Sequence, residues 1–334
     1  MAQFDMDLDQ LQAYRPTVAE PDDFDSFWTS TLSQARQHDL DPTFVKIDTG
    51  TPVFDTYDLT FSGFGGTRVK GWLITPAGAE SALPTVVEYL GYSGGRGLPF
   101  SRQTFAAAGW AYVIMDTRGQ GWSSGGYEAT PDLASEAGLH HTPGFMTAGL
   151  TDPQAYYYRR VYTDTIRCLE AVRSNPLVDQ SKIVVTGGSQ GGGLSIAAAG
   201  LAPYVGIELV GCAPNVPFLC HFARALKITD RDPYAEITRY LSGWRDLVPA
   251  AYRTLSYFDG VNLGKRATAP ALFSVGLMDQ TCPPSTVYAA YNLYGERTSV
   301  RPDKSIDVYS HNDHEGGGDY NTQRRLDWFA NLFA

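Results

Sequence analysis

An α/β fold built on a mostly parallel sheet is what this sequence predicts, and three observations predict it. Six short apolar runs recur along the chain, helical patterns fall between them, and a pair of period-two segments precedes them all. The runs are PTVVEYL (residues 84–90), WAYVIMD (110–116), SKIVVTG (181–187), GIELVGC (206–212), PALFSVG (270–276) and KSIDVYS (304–310). They read as strands of the buried type, covered on both faces, with KSIDVYS the most polar of the six.

The elements follow in chain order. DFDSFWTSTLSQARQ (23–37) places Phe24, Phe27, Trp28, Leu32 and Ala35 on one stripe of a helix, and residues 1–40 form an N-terminal helical extension. VFDTYDLTF (53–61) and RVKGWLITP (68–76) alternate around the turn SGFGG, which predicts an antiparallel hairpin. Helices are expected over QTFAAAG (103–109), TDTIRCLEAVRS (163–174), GGGLSIAAAGLA (191–202), STVYAAYNLYG (285–295) and RRLDWFANLF (324–333). Residues 214–265 interrupt the alternation with helical, aromatic sequence. An insertion at this edge of a parallel sheet caps a site or forms an interface. No linker, repeat or low-complexity tract divides the chain, so residues 1–334 are expected to form a single domain. An antiparallel start on a parallel sheet fits the α/β-hydrolase fold.

Composition excludes several classes of function. The chain has 334 residues, 43% of them apolar, which suffices for a large core. Its net charge of −10, with no Lys/Arg run, repels a phosphate backbone, so nucleic acid is not an expected partner. No apolar stretch approaches the roughly 20 residues that cross a bilayer, so no membrane partner is expected. The start, MAQFDMDLDQLQAYRP, lacks the basic and apolar regions of a secretory signal, and the expected location is the cytoplasm. Cys168, Cys212, Cys220 and Cys282 form no CxxC pair and read as buried apolar residues.

One stretch carries chemistry. In TGGSQGGG (186–193), Gly187-Gly188-Ser189-Gln190-Gly191 follows an apolar strand and opens a helix, the context of a nucleophile elbow. A serine on such a strained turn tolerates only small residues two positions away, which accounts for Gly187 and Gly191. The other reading of Ser189 is a helix N-cap. The glycines do not form a P-loop, because no GK[ST] follows.

An α/β-hydrolase orders its triad serine, acid, histidine. Asp279, in GLMDQTCPP after the strand at 270–276, is the acid candidate; its other reading is a turn aspartate holding backbone N–H groups. SHNDHEGGG (310–318) offers His311 and His314. His314, beside Glu315 and three glycines, is preferred, and His311 is read as structural. His38, His140, His141 and His221 precede the acid and do not fit the order. No His, Asp and Glu set has zinc-like spacing, so no metal is expected. The oxyanion donors expected are the backbone N–H of Gln190, after the nucleophile, and that of Tyr92, in YLGYSGGRG after an early strand. Tyr92 reads equally as a pocket-wall aromatic.

These residues bring a family into view. The chain resembles carbohydrate esterase family seven, the acetyl xylan esterases and cephalosporin C deacetylases. The resemblance runs from the N-terminal helix to the C-terminus. It rests on Arg118-Gly119-Gln120 in DTRGQGWSSG, the GGSQGGG elbow, GLMDQTCPPSTVYAAYN, HEGGG at His314, and GFMTAGLTDPQAYYYRRVYTD (144–164). It implies a serine esterase that deacetylates small substrates such as acetylated xylo-oligosaccharides and the acetyl ester of cephalosporin C. It also implies Ser189, Asp279 and His314 as triad, Tyr92 and Gln190 as oxyanion hole, Arg118 and Gln120 as structural residues near the site, and a homo-oligomer, a hexamer with its sites facing an internal chamber. Without the family, RGQG reads as a plain turn. SEAGLHH (135–141) and the inserted helices are the variable parts.

The expected chemistry is a two-step acyl transfer needing no metal or organic cofactor, and it should weaken as pH falls through the range in which imidazole protonates. Two rival readings remain at this level. One is a prolyl-oligopeptidase-like peptidase, against which stands the lack of a propeller-sized N-terminal domain. The other is a non-catalytic hydrolase fold used for binding, against which stands the presence of all three triad residues.

Overall fold

The computed structural model describes residues 3–125, 127–133 and 142–334. Among them nine strands form one sheet: β1 (Thr43–Ile47), β2 (Phe54–Ser62), β3 (Arg68–Pro76), β4 (Leu83–Tyr89), β5 (Ala111–Met115), β6 (Val178–Gly188), β7 (Gly211–Asn215), β8 (Ala271–Gly276) and β9 (Lys304–Tyr309). The spatial order is β1-β2-β3-β5-β4-β6-β7-β8-β9. The first three pairings along this order are antiparallel and the other five parallel. This is the α/β-hydrolase architecture expected, with the antiparallel hairpin at one edge.

The helices are α1 (Leu8–Ala13), α2 (Phe24–Ala35), α3 (Thr104–Ala107), α4 (Tyr157–Arg173), α5 (Gln190–Leu201), α6 (Phe222–Ile228), α7 (Tyr234–Gly243), α8 (Val248–Phe258), α9 (Gly260–Gly264), α10 (Pro284–Leu293) and α11 (Gly318–Phe333). Helices cover both faces of the sheet. Alternate residues of one strand therefore enter different cores: Val87, Val113 and Val185 pack with α4 and α5 residues such as Leu169 and Leu194, while Val86, Ile114 and Val184 pack with Phe105, Phe329 and Phe333 of α3 and α11. Two buried faces explain why these strands read as unbroken apolar runs.

The structure departs from the sequence reading in particular places. The strand expected at 206–212 lies instead at Gly211–Asn215. Ile207 and Leu209 are buried, but in the approach to the strand, whereas Pro214 and Asn215, which resemble a turn, pair with Gly187 and Gly188 of β6. The insertion thus begins after Asn215. Helix α4 starts six residues before the expected 163, and β1, half exposed at the sheet edge, is a strand the sequence reading does not contain; the short α1 falls within the helical extension expected over residues 1–40. The segment 135–141, with His140 and His141, lies outside the described residues. All four cysteines are free and buried. Among the described residues no helix is long and apolar enough to cross a membrane.

The inserted helices α6–α9 are joined to the domain through polar groups as well as packing. Trp28 of α2 donates its indole N–H to the carbonyl of Tyr257 at 3.0 Å. Asp259, buried between α8 and α9, accepts from the N–H groups of His221 (2.8 Å), Phe222 (3.0 Å) and Val261 (3.0 Å). Burial pushes the Asp259 carboxyl up to about 6, from an ordinary value near 3.8, against the pull of those donors. The folded chain then binds this proton more tightly than the unfolded chain. Its contribution to stability is complete below about pH 3.8 and is lost as pH rises through about 6. Asp259→Asn removes that titration. The stability difference between wild type and variant should therefore shift in favour of wild type by on the order of 3 kcal/mol between pH 7 and pH 4. Urea unfolding of both proteins at the two pH values reads this directly.

Candidate active site

Strand β6 delivers Ser189 to the carboxyl edge of the sheet, and α5 leaves it in the opposite direction. The turn between them puts Ser189 at φ +57° and ψ −119°, a conformation that costs on the order of 1–3 kcal/mol for a residue with a Cβ. Two hydrogen bonds hold the strained residue: its N–H donates to the Asn215 carbonyl at 3.0 Å, and its carbonyl accepts from the Phe218 N–H at 2.9 Å. The misread strand β7 is thus the floor of the elbow.

The flanking glycines are required by crowding, but not by crowding against the serine. A Cβ on Gly191 would lie 2.0 Å from the carbonyl oxygen of Tyr89, and one on Gly187 would lie 2.5 Å from that same atom and from the Gly191 carbonyl carbon. The obstacle is the end of β4, over which α5 must pass.

The loops after β8 and β9 supply the other two groups. His314 places Nε2 2.9 Å from Ser189 Oγ and Nδ1 2.8 Å from Asp279 Oδ2. Asp279 is fully buried, and its other oxygen accepts from the N–H groups of Thr281 and Cys282, both at 2.8 Å. The backbone donors fix the carboxylate, and its free oxygen lies at the imidazole. His311 is exposed, and Glu315, also exposed, accepts from Asn312 Nδ2 at 2.7 Å. Neither takes part in the Ser189 contact.

A second layer lies under the proposed oxyanion donors. Gln120 and Gln190 face each other: Gln120 Nε2 donates to Gln190 Oε1 at 3.0 Å and to the Tyr157 hydroxyl at 3.0 Å, while Gln120 Oε1 accepts from the Ser93 N–H at 2.8 Å. Gln190 also donates to the Leu90 carbonyl at 3.1 Å and accepts from the Tyr158 hydroxyl at 2.9 Å. The loop containing Tyr92 is thereby tied at Leu90 and Ser93 to the first residue of α5. Gly119 donates its N–H to the Thr130 carbonyl at 2.8 Å, and Arg118, fully buried, binds Asp164 through Nε at 2.6 Å. RGQG is far more than a plain turn. Of these partners, Tyr157 and Tyr158 could have been suspected from the unusual run YYY at 156–158.

Among the described residues one set of potential metal ligands exists despite its unhelpful sequence spacing: the donor atoms of Asp279, Cys282 and His314 lie within 4.8 Å of one another. Two of them are already bonded to each other, and burial pushes the Cys282 thiol well above its usual range, which keeps it protonated. This donor set fits a proton-transfer array better than a cation.

Serine, imidazole and carboxylate in series on this sheet define the class of the protein, an α/β-hydrolase. A family model described as acetyl xylan esterase (AXE1) matches residues 1–332, and the chain belongs to that family. A solved acetyl xylan esterase from Paenibacillus sp. R4 is 38% identical, with a TM-score of 0.88 over 98% of this chain and 99% of that one. Acetyl xylan esterase 1 from Thermoanaerobacterium sp. JW/SL YS485 is 33% identical, with a TM-score of 0.83 over 99% of this chain and 100% of that one. The acetyl esterase Axe7A of Xylanibacter ruminicola is 29% identical over 291 residues, which are 84% of this chain but only 61% of that relative's length.

Proposed function

We propose that this protein is a serine esterase that removes acetyl groups from small acetylated substrates, with acetylated xylo-oligosaccharides and cephalosporin C-like acetyl esters as the substrate class. The observation that carries the reading is the unbroken series Ser189 Oγ, His314 and Asp279, at 2.9 and 2.8 Å, in a chain matched by the acetyl xylan esterase family over residues 1–332. Family relatives named for acetyl ester hydrolysis support the acetyl group as the acyl part.

In the first step His314 Nε2 takes the Ser189 proton as Oγ attacks the acetyl carbonyl. Asp279 holds the imidazole tautomer and stabilises the imidazolium. The oxyanion accepts from the backbone N–H groups of Tyr92 and Gln190, the latter at the start of α5, where helix N–H groups have no intrahelical partner. Collapse expels the sugar alcohol, which receives the proton from His314, and leaves acetyl-Ser189. Water, deprotonated by His314, then attacks the acetyl carbonyl; acetate leaves and Ser189 recovers its proton. We take residues 1–334 as one catalytic domain that works in the cytoplasm, with the inserted residues 216–265 as cap or interface and a hexamer as the assembly.

Acetate release from acetylated xylo-oligosaccharides tests the reading, with Ser189→Ala as control. Release is expected from wild type and not from the variant. A butyryl ester should be slower in graded fashion, at about 1–3 kcal/mol for each misfitting methylene. A variant as active as wild type would sink the proposal, and cleavage of dipeptide amides would favour a peptidase.

A further inference from the structure

We infer that Glu236, in the inserted helix α7, is a positioning residue for the oxyanion hole, acting through the side chain of Tyr92. The inference rests on the esterase reading above and gives the inserted helices a part in the chemistry. Nothing in the sequence marks Glu236, which stands in an ordinary amphipathic helix.

The argument begins with the hydrogen bonds of one phenol. The Tyr92 hydroxyl donates to the Glu236 carboxylate, with its oxygen 2.7 Å from Oε1 and 2.8 Å from Oε2. The same phenol oxygen accepts from the N–H groups of Phe145 at 3.0 Å and Gly144 at 3.3 Å. Glu236 Oε2 accepts in addition from the Met146 N–H at 3.2 Å. Three segments distant in sequence therefore meet at one buried carboxylate: the loop after β4, the 144–146 turn, and α7.

A carboxylate only 8% exposed has no reason to sit here unless it is fully bonded, since an unpaired buried charge is costly. Its partners fit a clamp. The Tyr92 ring packs edge-on against Phe145, with centroids 5.5 Å apart, and against Phe218 at 6.3 Å. Phe218 itself donates its N–H to the Ser189 carbonyl. With its ring held by two aromatics and its hydroxyl held by Glu236, Tyr92 has little freedom to rotate its peptide. Gln120 fixes the next residue from the other side, through the Ser93 N–H. Burial raises the Tyr92 hydroxyl above its usual range, so it remains a donor wherever the enzyme works.

An oxyanion donor contributes only when it is preorganised for charge that develops in the transition state, so loosening it lowers kcat rather than substrate affinity. The test compares wild type, Ser189→Ala, Glu236→Ala, Glu236→Gln and Tyr92→Phe on p-nitrophenyl acetate. It also measures inhibition by a trifluoromethyl ketone, which forms a tetrahedral adduct with the serine. Glu236→Ala should lower kcat about 10- to 100-fold with KM changed less than about threefold, and should weaken the ketone in the same proportion. Tyr92→Phe should behave alike, and the double variant should be no slower than Glu236→Ala alone. Glu236→Gln should fall between, because its carbonyl still accepts from Tyr92 while its amide NH2 meets the Met146 N–H. Unchanged kcat per folded enzyme in Glu236→Ala, or an effect confined to KM, overturns the inference. Should Glu236→Ala not fold, Tyr92→Phe decides, since it removes one hydroxyl and leaves the backbone donor. If wild type is inactive or Ser189→Ala matches it, the esterase reading itself has failed and the inference falls with it; an active, Ser189-dependent wild type beside an unaffected Tyr92→Phe rejects the inference alone.

Discussion

Replacing His314 by Ala is expected to lower kcat on an acetyl ester about 10⁴- to 10⁶-fold, whereas His311→Ala should leave it within about twofold. The two histidines are three positions apart in one loop, and the contrast comes from geometry. His314 Nε2 is 2.9 Å from Ser189 Oγ, and its Nδ1 is 2.8 Å from a fully buried carboxylate; His311 is exposed and joins neither. Without the imidazole no group accepts the Ser189 proton at the moment of attack, and a neutral hydroxyl is a poor nucleophile. Substrate binding and the oxyanion donors would supply the activity that remains. Since the three groups act as a unit, Ser189→Ala combined with His314→Ala should be scarcely slower than either alone. Steady-state kinetics with p-nitrophenyl acetate on these four variants read the effects. An active His314→Ala, or an inactive and folded His311→Ala, would reverse the assignment of the base.

The preference for His314 could be argued from sequence because chain order in this fold limits where an acid and a base can lie, and because the glycines after His314 allow its loop to turn back. The structure does bring Ser189, Asp279 and His314 into hydrogen-bond contact. What surrounds them was much less legible. Strand β7 was displaced because Pro214 and Asn215 carry turn chemistry, while their strand conformation is imposed by pairing with β6. Edge strand β1 was missed because only its pairing with β2 distinguishes TFVKI from ordinary loop sequence. The polar layer of Gln120, Tyr157, Tyr158 and Glu236 is invisible to periodicity. A buried glutamate in an amphipathic helix looks like a solvent-facing one until its partner, 144 residues away, is known.

The second large effect is expected in stability, at the buried ion pair of Arg118 and Asp164. Arg118 donates to Asp164 through Nε at 2.6 Å and through an NH2 group at 2.7 Å, a two-pronged contact with side-chain exposures of 0% and 1%. Asp164 also accepts from the Phe64 N–H at 2.8 Å, and Arg118 reaches the Phe64 carbonyl at 3.2 Å. Removing the guanidinium alone leaves a carboxylate with no counter-charge at that contact in a dry site, so Arg118→Ala should lower unfolding free energy by about 3–5 kcal/mol. Whether the pair is itself stabilising is a separate matter. Burial holds the Asp164 carboxyl above its usual range even with Arg118 beside it, while Asp164 and Asp132 raise the Arg118 guanidinium in spite of its own burial, so the cost of desolvation falls on the carboxylate. Replacing both members together, Arg118→Met with Asp164→Leu, should therefore recover much of the loss. The difference between single and double variants, measured by urea unfolding at one protein concentration, isolates the cost of the orphaned charge. The double variant should still be a slower esterase. The Arg118 carbonyl accepts from the Tyr157 hydroxyl at 2.5 Å, and Tyr157 in turn accepts from Gln120, which holds the Ser93 N–H. An apolar pair can restore packing without restoring the direction of that chain of bonds. Recovered stability with depressed kcat would show that the ion pair is there to orient the loop beside Tyr92, and full recovery of both would show that packing alone suffices.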